Sequence, residues 1–294
     1  MKEAEFRFSN ESGANNEVSI KGLTDEHFFQ IACYLRKKYG LRVPLEKKTM
    51  LESRLLRRLR ALNLSSFSAY IKYVFENGKN DEYIHFIDLV TTHKTSFFRE
   101  DYQFEFLKKI LPAYCQSQSG DHRINVWSAG CSTGEEVYTL GIVLNEFRKH
   151  LSSLDYKIVG TDISMPSLQK AASGVYSGYE LQDLPNELRE KYFKPNAGQS
   201  NGEMVFNDRE VCSRIRLGVL NLNNTTYKLS DSFDFIFCRN VTIYFDVETQ
   251  RKVLSKLTDK LKQGGYLFLG HSETAIGSVL PVKSIQPTIY QKLS

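Results

Sequence analysis

The sequence has little of what a metal centre, a disulfide framework or a membrane anchor requires. Its five cysteines (Cys33, Cys115, Cys131, Cys212, Cys238) are odd in number and scattered, with no C-x-x-C. That usage suits a reducing compartment and argues against paired disulfides or a zinc site. The six histidines show no H-E-x-x-H or other close ligand spacing, so no metal is expected. No apolar run approaches the roughly 18 residues of a spanning helix, and the opening MKEAEFRFSNESGANNE does not read as a secretory signal. A cytoplasmic chain without membrane insertion is the expectation. Neither G-x-G-x-x-G nor the Walker pattern G-x-x-x-x-G-K-[ST] occurs, which disfavours a dinucleotide dehydrogenase and a P-loop nucleotidase. No internal repeat is evident.

What is present is ordinary for a globular protein: 294 residues, 41% hydrophobic and 25% charged, enough to bury a sizeable core. The net charge of +5 is mild, but its distribution is not. Between Tyr34 and Arg60 stand ten Lys or Arg against two Glu, so the remainder of the chain is slightly acidic. One basic patch on a near-neutral body predicts an acidic partner docking at one place.

Hydrophobic spacing divides the chain. Residues 1–22 are polar and aperiodic and read as a mobile tail. From 23 to 90 the pattern is helical. Thr24 is an N-cap candidate, with Phe28, Ile31, Ala32, Leu35 and Tyr39 on one face and Gly40 as the stop. Lys47–Leu62 sets Leu51, Leu55, Leu59 and Leu62 opposite Arg54, Arg57, Arg58 and Arg60. Two further helices are predicted at Ser66–Glu76 and Glu82–Val90. Residues 91–120 read as a linker contributing to a site. From 121 to 294 strands alternate with helices: Ile124–Ala129, Glu135–His150, Tyr156–Thr161, a short helix from Ser167, Phe233–Cys238, Val247–Leu261 and Tyr266–Gly270. The chain closes on a strand-like Ile285–Leu293. Such alternation predicts a mostly parallel α/β sheet, broken at 174–216 by short alternating runs that read as a small β-rich insertion.

The loop Ala129-Gly130-Cys131-Ser132-Thr133-Gly134-Glu135-Glu136 joins the first strand to its helix, where glycines permit sharp turning and close ligand approach. Two carboxylates at that helix start would repel a pyrophosphate. A ligand carrying a cationic or hydroxyl-rich group fits better, and S-adenosylmethionine supplies both. Asp162 ends the next strand, where doubly wound folds place an acid for ribose hydroxyls. An ordinary tight turn with a helix-start carboxylate accounts for the same residues. Asn240 follows the FDFIFC strand, facing the same crevice, and Tyr244 lies four residues on as a core aromatic or a functional hydroxyl. His93, Thr95 and Arg99 cluster at a domain junction, where pockets form.

Together SAGCSTGEEVYTL, TDIS, FDFIFCRNVTIYFD, LKQGGYLFLGHSE and THKTSFFRE resemble the chemoreceptor glutamate methyltransferases of bacterial chemotaxis, the CheR family, from about Leu23 to the C-terminus. The resemblance implies a class I S-adenosylmethionine-dependent methyltransferase fold. That fold is a Rossmann-like, mostly parallel sheet with an antiparallel C-terminal strand, a small β-subdomain insertion and an N-terminal all-helical domain. It implies methyl transfer from S-adenosylmethionine to receptor glutamates, leaving S-adenosylhomocysteine. His93, Thr95, Arg99, Gly130, Glu135, Asp162, Asn221, Leu222, Asn240 and Val241 are the implied cofactor residues. The family usually has Asn at His93 and a bulkier apolar residue at Thr242.

The chemistry of such a transfer asks for no general base, because a free glutamate with pKa about 4.3 is already ionised at neutral pH. Positioning in a dry pocket should then carry catalysis. Tyr244 would orient the substrate carboxylate through one neutral hydrogen bond, and Arg99 would clamp the cofactor's own carboxylate. The face bearing Arg54, Arg57 and Arg58 would dock the glutamate-rich helical bundle of a receptor. The β-subdomain corresponds to one that grips a receptor C-terminal tail by strand addition. A monomer is expected. A nucleic-acid methyltransferase is disfavoured, because Arg239-Asn240-Val241-Thr242 lacks the proline of an Asn/Asp-Pro-Pro-type loop. A non-catalytic S-adenosylmethionine sensor stays open.

Overall fold

The computed structural model describes residues 20–76, 81–117, 123–196, 202–229, 232–273 and 280–293. The expected tail lies outside them apart from residues 20–22.

Four helices come first: α1 (Asp25–Tyr39), α2 (Lys48–Ala61), α3 (Phe67–Glu76) and α4 (Asp81–Val90). Thr24 caps α1 by accepting the His27 N–H, and Gly40 ends it in the left-handed region at φ 73°. Phe28, Ile31, Leu35 and Tyr39 share one buried cluster with Leu51, Leu55 and Leu59 of α2 and Phe86 and Ile87 of α4.

The polar side of α2 is not a uniform solvated face. Arg58 Nε and Nη2 reach the Glu82 carboxylate at 2.9 and 2.5 Å, and Tyr70 Oη donates to the same group at 2.8 Å. Glu82 is only 3% exposed. Arg54 Nη1 donates to the Leu89 and Thr91 carbonyls at 2.8 and 2.9 Å, closing the C-terminal end of α4. Two of the three arginines expected to dock substrate are therefore turned onto α4, while Arg57 and Arg60 stay exposed. Sequence spacing gave the face but not its packing against α4, whose carboxylate and open carbonyls draw them in.

The rest of the chain builds the α/β part. α5 (Tyr102–Ser117) precedes β1 (Arg123–Ala129), α6 (Glu135–Arg148), β2 (Asp155–Asp162) and α7 (Met165–Ser173). A small antiparallel sheet follows from β3 (Val175–Tyr176), β4 (Phe193–Pro195) and β5 (Met204–Phe206), with α8 (Asn186–Tyr192) and α9 (Arg209–Arg214). Then come β6 (Ile215–Val219), β7 (Phe233–Cys238), α10 (Val247–Lys260), β8 (Leu261–Leu269), β9 (Val282–Gln286) and β10 (Ile289–Lys292). The main sheet runs β6-β2-β1-β7-β8-β10-β9. Its first five strands are parallel, and β10 is antiparallel to both neighbours. This is the mostly parallel, Rossmann-like sheet with an antiparallel C-terminal end that the family resemblance implies.

Three details differ from the sequence reading. The segment 91–120 contains α5, which buries Phe104, Leu107 and Leu111 against Val126 and Phe237 and is part of the core. Ile215 and Arg216, expected in the insertion, start β6 and pair with β2 at the edge of the main sheet. The last strand is split into a hairpin, because Pro287 has no N–H for a ladder and Thr288 turns at φ 65°.

Arg58→Ala strands the buried Glu82 carboxylate and is expected to destabilise the protein by about 2–4 kcal/mol in denaturant titration. Arg57→Ala, at an exposed position, is expected to stay within about 0.5 kcal/mol. Equal, small effects would remove the structural role assigned to Arg58.

Candidate active site

The crevice lies at the C-terminal ends of β1, β2 and β7, where a parallel sheet exposes its loops. β1 hands over to the glycine loop at Gly130, which adopts φ 95°. Its N–H and that of Cys131 donate to the Thr161 carbonyl at 2.7 and 2.9 Å. A Cβ at Gly130 would lie 2.4 Å from Val241 Cγ2, so only glycine lets the β1 and β7 loops approach this closely.

Asp162 closes β2. Ser132 N–H donates to its Oδ2 at 2.8 Å and Ser164 N–H to its Oδ1 at 2.9 Å. Each oxygen keeps a further lone pair, which suits the two donors of a ribose diol. Burial pushes its carboxyl above the ordinary carboxylate range, against the pull of those backbone N–H groups. Beside it the buried Cys131 thiol is pushed far up by desolvation, so it is no thiolate nucleophile.

The loop after β7 is held from behind by one carboxylate. Glu273, 4% exposed, accepts the N–H groups of Asn240, Val241, Thr242 and Gly270 at 2.8, 2.9, 2.6 and 2.6 Å. The Thr242 hydroxyl donates to it as well, at 2.9 Å. That bond gives the unusual Thr242 a physical reason. Asn240 itself sits in the left-handed region at φ 58°. Arg239, also buried, donates from Nε to Glu136 at 2.6 Å and from Nη1 to the Arg99 carbonyl at 2.5 Å. Ser128 Oγ donates to the other oxygen of Glu136 at 2.6 Å.

The helical part supplies the opposite wall. Arg42 N–H donates to the Tyr244 carbonyl at 2.7 Å, and Leu41 bridges Phe245. Arg36 pairs with Asp246 at 2.9 Å, and Asn221 Nδ2 donates to the Lys38 carbonyl at 3.0 Å. Tyr39, Leu41, Arg42, Val43, Lys47 and Met50 thereby line the cavity.

Of the residues singled out in the sequence, His93, Thr95, Arg99, Gly130, Asp162, Asn221, Leu222, Asn240, Val241 and Tyr244 all line this one cavity. Glu135 does not. Its carboxylate turns back onto Thr133 Oγ1 at 2.9 and 2.7 Å, and the neighbouring Glu136 takes the place on the wall. One residue along a helix is 100° of rotation, which a pair of adjacent glutamates leaves open. Burial pushes the Glu135 carboxyl up. Arg54, Arg57 and Arg58 are not on the cavity wall. His93 is fixed by Thr91 Oγ1 and the Asp88 carbonyl on Nε2, at 3.0 and 3.1 Å, and by Ser167 Oγ on Nδ1 at 3.0 Å. Arg99 donates from Nη1 to the Lys94 carbonyl at 2.8 Å. Tyr244 is half-buried beneath Lys47, whose Nζ lies 5.3 Å from the ring centre. Its hydroxyl has no hydrogen-bond partner among the described residues.

Sequence reasoning missed Glu136, Arg239, Glu273 and Arg42. Each acts across 30 or more residues of chain, and only the bare motif letters marked the first three. With Glu136 neutralised by Arg239, Asp162 is the uncompensated acid of the wall, and Arg42, Lys47, Lys94 and Arg99 make the rest basic. The set fits a molecule offering a diol, a carboxylate and a cationic centre.

Comparison with known proteins gives the family. Residues 93–290 match the family model described as CheR methyltransferase, SAM binding domain. Residues 26–91 match CheR methyltransferase, all-alpha domain. A chemotaxis protein methyltransferase of Borreliella burgdorferi is 34% identical over 97% of this chain and 99% of its own length. That of Salmonella typhimurium is 35% identical over 91% and 90%, and that of Escherichia coli 36% over 85% and 85%. Among the described residues no group of His, Cys, Asp or Glu could hold a metal ion, and no helix is long and apolar enough to cross a membrane.

Glu273→Gln replaces one of two acceptor oxygens by an amide that faces N–H groups. The variant is expected to lose about 2–4 kcal/mol of stability and at least about tenfold in S-adenosylmethionine affinity, read by melting and by calorimetry. Unchanged affinity in the folded variant would separate the loop's anchoring from cofactor binding.

Proposed function

The chain belongs to the CheR methyltransferase family, with S-adenosylmethionine as methyl donor, and on that premise we propose that it esterifies glutamate carboxylates on chemoreceptor cytoplasmic domains. The observation that carries this reading is the Tyr244 hydroxyl. It is a neutral donor without a hydrogen-bond partner among the described residues, on the wall of the Asp162 cavity and below Lys47.

Bound S-adenosylmethionine supplies an electrophilic methyl on a sulfonium. Asp162 accepts the ribose hydroxyls, and Arg99 holds the cofactor's carboxylate. Gly130, His93, Thr95, Asn221, Leu222, Asn240 and Val241 shape the remaining wall. Glu136 stands where Glu135 was expected. The basic residues Arg42 and Lys47 draw the substrate carboxylate in, and Tyr244 Oη orients it by one hydrogen bond. A neutral donor aligns the oxygen while leaving it nucleophilic, whereas a bidentate guanidinium would stabilise the reactant anion. Attack consumes a negative and a positive charge together, so a cavity from which water is excluded favours the transition state. No residue has to move a proton.

In this reading residues 23–90 present the substrate, 91–120 complete the cofactor wall and 121–294 form the catalytic part. Docking on α2 falls to the exposed Arg57, with Arg54 and Arg58 holding the helix in place. The β3–β5 sheet, within 174–216, is the part that would take a receptor tail. One chain supplies the whole constellation, which supports a monomer as the working unit. Incubation with methyl-labelled S-adenosylmethionine and a receptor cytoplasmic fragment is expected to give protein label that alkali releases. Label that survives alkali, or that appears on RNA instead, would overturn the assignment.

Tyr244→Phe is expected to lower kcat about ten- to a hundredfold, the worth of one hydrogen bond to an ion at about 1.5–3 kcal/mol. Cofactor affinity should be unaltered, and the loss should persist at saturating receptor. A single-turnover rate within about twofold of wild type would return Tyr244 to packing.

Cofactor affinity should also report on Asp162. The ribose binds the ionised carboxylate, so affinity is full at high pH and falls as pH drops through the carboxyl pKa. Because that pKa is raised, the fall should begin above the ordinary aspartate value of about 3.9. Asp162→Asn should bind more weakly and lose this acid limb in calorimetry. An unchanged limb would assign it to another group.

A further inference from the structure

A second groove, of about 680 Å³, lies at the edge of the main sheet and shares Leu220 with the cavity wall. β6 is the terminal strand there. Leu220 N–H donates to the Asp162 carbonyl at 2.9 Å, and the register pairs Gly218 with Thr161 and Arg216 with Val159. Main-chain groups alternate in direction along a parallel strand. Arg216, Gly218 and Leu220 therefore turn theirs toward β2, and Ile215, Leu217 and Val219 turn theirs outward. The Ile215 carbonyl is covered by Arg216 Nη1 at 2.8 Å. Leu217 and Val219 remain, with two N–H and two C=O groups that meet no backbone partner among the described residues.

Proteins usually blunt such an edge, and this one is open. The connection from β6 to β7 carries no helix among the described residues, so that face of the sheet is not covered as it would be by a crossover helix. Val219 is 53% exposed, and a Cβ at Gly218 would meet nothing within 4 Å. Lys157, Arg216 and Lys228 line the groove together with Thr225 and Thr226, and among the described residues no Asp or Glu does.

We propose that the β6 edge docks an extended acidic segment of a partner protein, which adds as a further strand. Its main chain pairs with Leu217 and Val219. Alternate carboxylates face Arg216 and Lys228 in the groove, and the intervening apolar side chains lie on the face of Val219. The unpaired main-chain groups favour a polypeptide over a nucleic acid, which has no ladder to offer. This edge belongs to the main sheet and is separate from the β3–β5 sheet.

The test uses the full chain and a fluorescein-labelled Thr-Glu-Val-Glu-Val-Glu-Thr peptide in fluorescence anisotropy. A Lys-for-Glu peptide and single-stranded oligo-dT are the comparisons. The acidic peptide is expected to bind, more weakly at 0.5 M than at 0.05 M salt because exposed charges are screened. Arg216→Glu/Lys228→Glu and Val219→Pro should each raise Kd about tenfold or more, with S-adenosylmethionine binding reporting that the fold survives. Val219→Pro removes an outward N–H and leaves the bonds to β2. Amide exchange should slow at Leu217 and Val219 when peptide is bound, in wild type and independently of either variant. The proposal falls if there is no binding at about 1 mM peptide, or if the Lys peptide or oligo-dT binds equally well. It falls equally if those two amides gain no protection, or if they are protected by self-association of the chain alone.

Discussion

One carboxylate holds the active-site floor in place. Glu273 takes four backbone N–H groups and a hydroxyl, and in doing so it fixes a loop that contains a left-handed Asn240. Buried N–H groups cannot go unpaired without cost, and a loop crossing the end of a parallel sheet has no neighbouring strand to supply acceptors. The carboxylate substitutes for that strand. With the loop pinned, Val241 can sit against Gly130, Arg239 can reach Glu136, and Tyr244 comes out at a defined height over the cavity.

The second requirement is that the helical part be docked onto this loop. A single backbone bond from Arg42, the Leu41–Phe245 bridge and the Arg36–Asp246 pair connect the two. These contacts are few and mostly exposed, so each contributes modestly, but they converge on Tyr244 and its neighbours. They also bring Arg42 and Lys47 onto the cavity wall that carries Tyr244, giving the mouth a positive potential where an anionic side chain must enter. The basic stretch of the sequence thus splits into four roles: docking through Arg36, lining the cavity, bracing α4 through Arg54 and Arg58, and facing solvent at Arg57 and Arg60.

The sequence by itself determined the fold class, the order of its elements and ten of the residues that line the cavity. Alternating strands and helices, the Gly130 turn and Asp162 at a strand end depend on local periodicity and on the rule that parallel sheets bind ligands at their carboxyl ends. Family motifs, being contiguous, carried His93, Thr95, Arg99 and Asn240 with them. Tertiary structure alone decided the rest, because it concerns which distant groups meet. It chose Glu136 over Glu135, a matter of helix rotation against Arg239 and Ser128. It turned Arg54 and Arg58 inward, since α4 offered a buried carboxylate and open carbonyls. It made α5 a core helix, β6 an edge strand and the C-terminus a hairpin. Hydrogen-bond demand and desolvation act through space, and a linear pattern records only which residues are available to satisfy them.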